Sequence, residues 1–221
     1  METDSICVLV SGGLDSCALI GELSRKRTVV PIFIRQGLKW EGAELYWLRR
    51  YLSSLAVTGR GSIRSLQILS LPMSDLYGNH WSTWGKAVPG ARTPDRAVYL
   101  PGRNPILIVK AAVYCALHRI PAIAIGSLDH NPFPDATPGF FRAFSRALCM
   151  GLGRHVRIEA PYRALSKVDV IKRNPGLPLE LSFSCLAPLG KKHCGRCNKC
   201  AERHRAFKSA GVIDKTLYAK N

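Results

Sequence analysis

Apolar positions in this chain follow two alternating periods. Short, mostly apolar runs at 6–10, 28–34, 65–71, 121–126 and 155–159 read as strands. Between them, apolar residues three or four apart predict helices. One starts near Ser16 (Cys17, Ala18, Leu19, Ile20, Leu23), and one covers 41–55 (Leu45, Leu48, Leu52, Leu55). Others cover 104–118, with Asn104 and Pro105 as N-cap and first-turn residues, and 137–151, with Phe140, Phe141, Phe144 and Leu148 in one stripe. Ser166 opens a last one over 167–173, closed by Asn174-Pro175-Gly176. Strand alternating with helix demands right-handed crossovers. The chain therefore reads as an α/β protein with a doubly wound, five-stranded parallel sheet and a site at the carboxyl ends of its strands. Residues 72–103 break the alternation. They carry Tyr77, Trp81, Trp84 and Tyr99, which sit poorly in water, so this segment is expected to cover or build a site.

The 221 residues suffice for one α/β domain, assigned to 1–180, with an appendage at 181–221. No uninterrupted apolar stretch of about 18 residues suggests a membrane span. The start, Met1-Glu2-Thr3-Asp4-Ser5, lacks the basic opening of a signal peptide, so a cytoplasmic protein is expected. Charge adds one thing: 32 basic against 15 acidic residues give +17. That field attracts nucleic acid, a nucleotide triphosphate or an acidic protein partner, or else serves solubility alone, since no tract of five like charges occurs.

Ser11-Gly12-Gly13-Leu14-Asp15-Ser16 joins the first strand to the first helix. A glycine pair there lets backbone N–H groups turn towards an anion, and the helix N-terminus adds partial positive charge. The Ser11 and Ser16 hydroxyls can donate to phosphate, while Asp15 repels it unless a cation stands between them. The combination suits a pyrophosphate with magnesium, and it lacks the spacing and Gly-Lys-Ser/Thr ending of a Walker A loop. A tight turn also favours Gly, Ser and a first-turn Asp on structural grounds alone. Near the C-terminus, Cys194, Cys197 and Cys200 form two overlapping Cys-x-x-Cys steps, with Cys185 nine residues upstream. Four thiolates so spaced suit a structural zinc ion. An iron–sulfur cluster is the rival, and a redox pair leaves two cysteines unexplained. Gly195 permits the turn, and Lys191, Lys192, Arg196 and Lys199 offset the thiolate charge. His193 and His204 read as surface residues, and Cys7, Cys17, Cys115 and Cys149 as buried free thiols.

The loop resembles the Ser-Gly-Gly-x-Asp-Ser motif of the N-type ATP pyrophosphatase (PP-loop) superfamily. Leu100-Pro101-Gly102-Arg103-Asn104, Phe133-Pro134-Asp135, Ala160-Pro161 with Leu165-Ser166-Lys167, and Ser184-Cys185 before Cys-Gly-x-Cys-x-x-Cys follow in order. That order resembles the 7-cyano-7-deazaguanine synthase family over nearly the whole length. The resemblance implies an adenine-nucleotide hydrolase-like sheet with a small C-terminal zinc-binding helical cap. It implies a ligase of queuosine biosynthesis that uses ATP to activate the carboxylate of 7-carboxy-7-deazaguanine. Ammonia then gives the amide, and a second activation gives the nitrile. On this resemblance Ser11, Gly12, Gly13, Leu14 and Ser16 would hold pyrophosphate and Asp15 magnesium, while Arg103 and Lys167 would neutralise phosphate charge. Arg103, Asn104, Phe133 and Asp135 would meet the substrate, Phe133 stacking on the base and Asp135 accepting from its N–H edge. Leu14, Gly37-Leu38, Ala136, Thr137 and Ser127 depart from the family pattern (Gln, Arg-His, Cys, Arg and an acid). These departures fall where substrate or ammonia binds. They leave open a relative that uses another amine, such as a protein N-terminus, a PP-loop tRNA-modifying enzyme, and a zinc-knuckle binding module with a decayed loop. A homodimer is compatible with the resemblance.

Overall fold

The computed structural model describes residues 5–59, 61–129 and 131–219; the acidic start at 1–4 lies outside them. The strands are β1 (Ser5–Leu9), β2 (Thr28–Arg35), β3 (Gln67–Ser70), β4 (Ala122–Ala124) and β5 (Arg157–Glu159). The helices are α1 (Leu14–Leu23), α2 (Glu41–Val57), the one-turn α3 (Ser74–Tyr77) and α4 (Trp81–Trp84), α5 (Arg103–His118), α6 (Pro138–Leu152), α7 (Lys167–Arg173) and α8 (Asn198–Ala210). Every position of β1 is buried, and its side chains alternate between two cores. Ile6 and Val8 pack under α1, α2, α7 and α8, while Cys7 pairs with Leu9 against α5 and α6. A strand covered on both faces is apolar throughout, which explains the uninterrupted run in the sequence. The sheet is all parallel, in the order β3-β2-β1-β4-β5. Its direction of winding reverses between β1 and β4, the place where open α/β sheets bind ligands.

Element boundaries move by a few residues for local reasons. Pairing to β3 starts at Ile32 with Gln67 rather than at 65. Val29 N–H donates to Ser62 O and Arg64 N–H to Val29 O. The next donor on that side of β2 would be residue 31, a proline, which has none. Helix α1 begins at Leu14, two residues earlier than expected, with Gly13 as N-cap. Helix α5 begins at Arg103, and its N-cap is Gly102 at φ 72° rather than Asn104. Helix α6 is capped by Thr137, whose hydroxyl accepts from Phe140 N–H at 3.1 Å. Ser166 caps α7 in a reciprocal box with Asp169. Among the thiols expected to be buried, Cys149 is only partly so.

Residues 72–103 are not a floppy insertion. Trp81 stacks on Trp40 at 5.5 Å, and Val98 and Leu100 join Trp40, Trp47, Phe183 and the four C-terminal cysteines in a third core. Asn198 fastens the same segment from the other side, donating N–H to Pro89 O (2.9 Å) and side-chain amide to Thr93 O (2.8 Å). The C-terminal cap is tied to the sheet domain through α8, where Ala206 and Phe207 enter the first core. Arg203 lies beneath it, 1 % exposed. Its guanidinium donates to Ser182 Oγ and Leu179 O, both at 2.8 Å, lies 3.4 Å from Asp214 and rests 4.9 Å from the Phe207 ring.

Two acids of α2 are buried. Glu41 accepts from the N–H groups of Gln36 and Gly37 and so shapes the turn after β2. Glu44 has no ion-pair partner among the described residues; burial pushes its pKa up to about 8, with Arg103 pulling the other way.

Replacing Arg203 by Met removes two buried hydrogen bonds and the ion pair with Asp214, which keeps Tyr218 and Thr216 as donors. Unfolding free energy should fall by about 1–3 kcal/mol in denaturant titrations, with Lys restoring only part. Glu44 makes the folded chain the better proton binder between the ordinary carboxylate range and pH 8. Stability must therefore fall as pH rises through that window, by at most about 1.4 kcal/mol per pH unit. Melting curves of Glu44→Gln from pH 5 to 8 should lack that component of the slope.

Candidate nucleotide site and cysteine centre

The turn after β1 is held by contacts that admit no side chain. Gly12 has φ 81°, and a Cβ on it would stand 2.9 Å from the carbonyl oxygen of Glu44. Its own carbonyl accepts from Phe183 N–H at 2.7 Å, binding the loop to the C-terminal cap. Gly13 N–H donates to Ser11 Oγ (3.2 Å) and Ser16 Oγ donates to Gly13 O (3.0 Å), which leaves the two hydroxyls 3.4 Å apart. Leu14 turns its side chain into the first core, so only its backbone belongs to the loop. On the far side, a Cβ on Gly126 would fall 3.2 Å from Asp15 C and Ser16 N. The first turn of α1 is thus seated against the chain that follows β4. Gly126 was not singled out from the sequence; the available signal was a glycine directly after an apolar strand run.

A cavity of about 170 Å³ opens at this point, walled by Ser11, Gly13, Asp15, Ser16, Gln36 and Arg103. Arg103 Nε donates to Gln36 Oε1 at 2.9 Å, which aims the guanidinium across the cavity mouth from the start of α5. Asn104, Glu44, Leu38 and Ser127 also line it. A second cavity of about 210 Å³ shares Asp15, Gly126 and Asn131 with the first and adds Phe133, Lys167 and Glu202. Phe133 stacks on Tyr99 of the aromatic insertion at 4.8 Å.

Lys167 stands between two acids, its ammonium 3.4 Å from Asp15 Oδ2 and 2.7 Å from Glu202 Oε1. Burial works against its charge, but Asp15 and Glu202 more than offset this and raise its pKa. Glu202 also accepts from Lys199 at 2.7 Å. Burial disfavours its charge, yet Lys167 and Lys199 hold its pKa down to about 2. Neither Glu202 nor its pairing with Lys167 was anticipated; nothing in the spacing of α8 points to α7. Burial raises the Asp15 pKa, opposed by Lys167, and Asp15 Oδ1 is buried with no hydrogen-bond partner. An orphaned carboxylate oxygen, on a residue that lines a cavity with hydroxyls and helix N–H groups, fits a hard cation that would take its remaining ligands from phosphate and water.

Asp135 has a supporting contact within the chain. Its carboxylate accepts from Asn104 N–H (3.2 Å) and the Asn104 side-chain amide (3.3 Å), and it does not line either cavity. It fixes the entry of α5, and with it Arg103. The sequence reading of His193 fails. It is 2 % exposed, its Nε2 accepts from Ser184 N–H at 3.1 Å, and burial pushes its pKa down to about 3. His204 is exposed, as expected, and stacks on Tyr218 at 4.3 Å.

Cys185, Cys194, Cys197 and Cys200 are buried, with all four sulfurs within 4.8 Å of one another. The Cys194–Cys200 and Cys185–Cys197 sulfur pairs are each 4.0 Å apart. A tetrahedral centre with metal–sulfur bonds of about 2.3 Å sets its sulfurs about 3.8 Å apart, so the cluster fits one metal ion. Backbone N–H groups of Cys194 and Leu186 point at the sulfurs of Cys185 (3.2 Å) and Cys197 (3.4 Å). Gly195, at φ 75°, makes the turn between the second and third cysteines.

The family described as queuosine biosynthesis protein QueC matches residues 5–211. A 7-cyano-7-deazaguanine synthase of Anaeromyxobacter dehalogenans is 30% identical, covering 96% of this chain and 95% of that protein. One from Chelativorans is 31% identical, covering 99% and 94%. A third, from Methanothermobacter thermautotrophicus, is 29% identical, covering 95% and 97%. No helix among the described residues is long and apolar enough to cross a membrane. With the glycine-bound turn, the α5 arginine and the four-cysteine centre all within the matched span, this chain belongs to the QueC family of queuosine biosynthesis proteins.

Proposed function

We propose that the protein is an ATP-dependent ligase that converts 7-carboxy-7-deazaguanine and ammonia into 7-cyano-7-deazaguanine. The observation that carries this reading is the Ser11–Ser16 turn at the sheet's switch point, with Asp15 Oδ1 buried and unpartnered beside it. The named relatives supply the substrate class. The acid's carboxylate attacks the α-phosphorus of ATP, releasing pyrophosphate. Ammonia then adds to the acyl carbon and AMP leaves with loss of a proton, giving the amide. A second ATP activates the amide oxygen in the same way, releasing pyrophosphate, and loss of AMP and of both protons on the amide nitrogen leaves the nitrile.

In this reading Ser11, Gly13 and Ser16 hold the departing pyrophosphate with the α1 N-terminus, and Gly12 and Leu14 keep the turn in shape. Arg103 and Lys167 face the charge that builds on the phosphates. Magnesium, held by Asp15, would shield that carboxylate from the phosphates and polarise them. Asn104 and Phe133 frame the base, while Asp135 acts through Asn104. The C-terminal cysteines hold zinc as a structural ion, leaving no open coordination position. The enzyme would work in the cytoplasm.

One observation favours a second reading, in which an amine other than ammonia is the acceptor. Leu38 and Ser127, two of the departures from the family pattern, both line the first cavity.

Incubation with ATP, magnesium, 7-carboxy-7-deazaguanine and ammonium, followed by mass spectrometry, should give the nitrile. Amide or adenylate alone would favour the second reading, and no acid-dependent release of AMP would end both. Arg103→Ala should lower kcat by about 10²–10³-fold. Metal analysis of the purified protein should find one zinc per chain and no visible iron–sulfur absorption, with Cys197→Ser losing the zinc and much of its thermal stability.

A further inference from the structure

We propose that Glu202, which the C-terminal cap contributes, is a positioning residue that keeps Lys167 off Asp15 and so leaves Asp15 open to a divalent cation. The inference deepens the nucleotide reading above and rests on it. Three elements meet here: α1 brings Asp15, α7 brings Lys167, and α8 brings Lys199 and Glu202. Lys167 is shared unevenly. Its 2.7 Å contact with Glu202 is a charge-assisted hydrogen bond, whereas 3.4 Å to Asp15 lies beyond the usual N–H···O range. The other Glu202 oxygen takes Lys199 at 2.7 Å, so one carboxylate holds two ammonium groups away from the loop. Both lysines and both acids line the same cavity, whose wall also carries Asp95 and Asp129.

Removal of the Glu202 charge upsets this balance in one direction. Lys167 keeps Asp15 as its remaining carboxylate neighbour, and its flexible four-carbon stem lets it close on that oxygen pair. Lys199 loses the partner it holds at 2.7 Å and is left as an unpaired charge. A magnesium ion arriving with phosphate must then displace an ammonium from the carboxylate it needs. Glu202 reaches Asp15 through Lys167, the side chain that contacts both acids.

The readout is the factor by which Mg²⁺ tightens binding of α,β-methylene ATP, measured by calorimetry on the full-length protein with its cysteine centre loaded. Glu202→Gln should cut that factor about tenfold, and the double variant Glu202→Gln with Lys167→Met should restore it even though turnover is lost. A merely structural role for Glu202 would move melting temperature and metal content, and it would not be reversed by removing the lysine. Should Glu202→Gln lose its cysteine-bound metal, Glu202→Asp, which keeps the charge, should retain most of the magnesium factor. An unchanged factor in Glu202→Gln, no recovery in the double variant, or no analogue binding by the wild type overturns the inference. Wild-type protein that shows the expected magnesium pattern but makes neither amide nor nitrile would instead leave the inference standing and overturn the substrate assignment.

Discussion

The first turn of α1 is clamped between two backbones, and the rest of the site takes its position from that clamp. Gly12 lies against the α2 carbonyl of Glu44, and Gly126 lies against the peptide of Asp15 and Ser16. Side chains at either place would push the helix N-terminus away from the strand ends. With the turn fixed, Ser11 and Ser16 stand side by side, Asp15 faces the cavity, and the helix N–H groups point where phosphate charge would sit. The fold contributes the crevice through its strand order, and the glycines contribute the closeness that makes the crevice useful.

The second layer of the site is held by residues that do not enter it. Asp135 spends its carboxylate on Asn104, and Gln36 accepts from Arg103, so the α5 arginine is aimed from both ends. Glu41 closes the turn that carries Gln36. Such supporting contacts fix first-turn side chains whose own rotamers would otherwise wander. They also explain why an acid-rich neighbourhood can serve an anionic ligand: several of these carboxylates are already committed to backbone or amide donors.

Much of this was legible in the sequence, and what was not has a physical cause. Alternating strand and helix periods gave the parallel sheet because both faces of β1 are buried and every residue there is apolar. The loop and the cysteine spacing were readable because each is local, with its chemistry inside a few consecutive residues. Long-range placement was not. The α8 residue Glu202 meets Lys167 through the packing of two helices, and no period in either segment reports the other. His193 looked like a surface residue beside lysines, yet the ring is enclosed by Phe183 and Tyr218. Nor does any local pattern report that Asp135 holds the helix start two elements earlier in the chain. The shift of β3 depended on which neighbour Pro31 turns its nitrogen towards, a fact of register rather than composition.

The third core has a bearing on how the chain folds. It gathers Leu38 and Trp47, then Val98 and Leu100, then Phe183 and the cysteines, stretches far apart in sequence. Contacts of such separation carry a large loop-closure entropy and form after local pairings. The sheet can assemble first from neighbouring strand–helix units, whereas the metal-binding end must wait for the aromatic segment to arrive. Newly made chains should therefore pass through a stage in which the cysteines have not yet been buried by the aromatic segment.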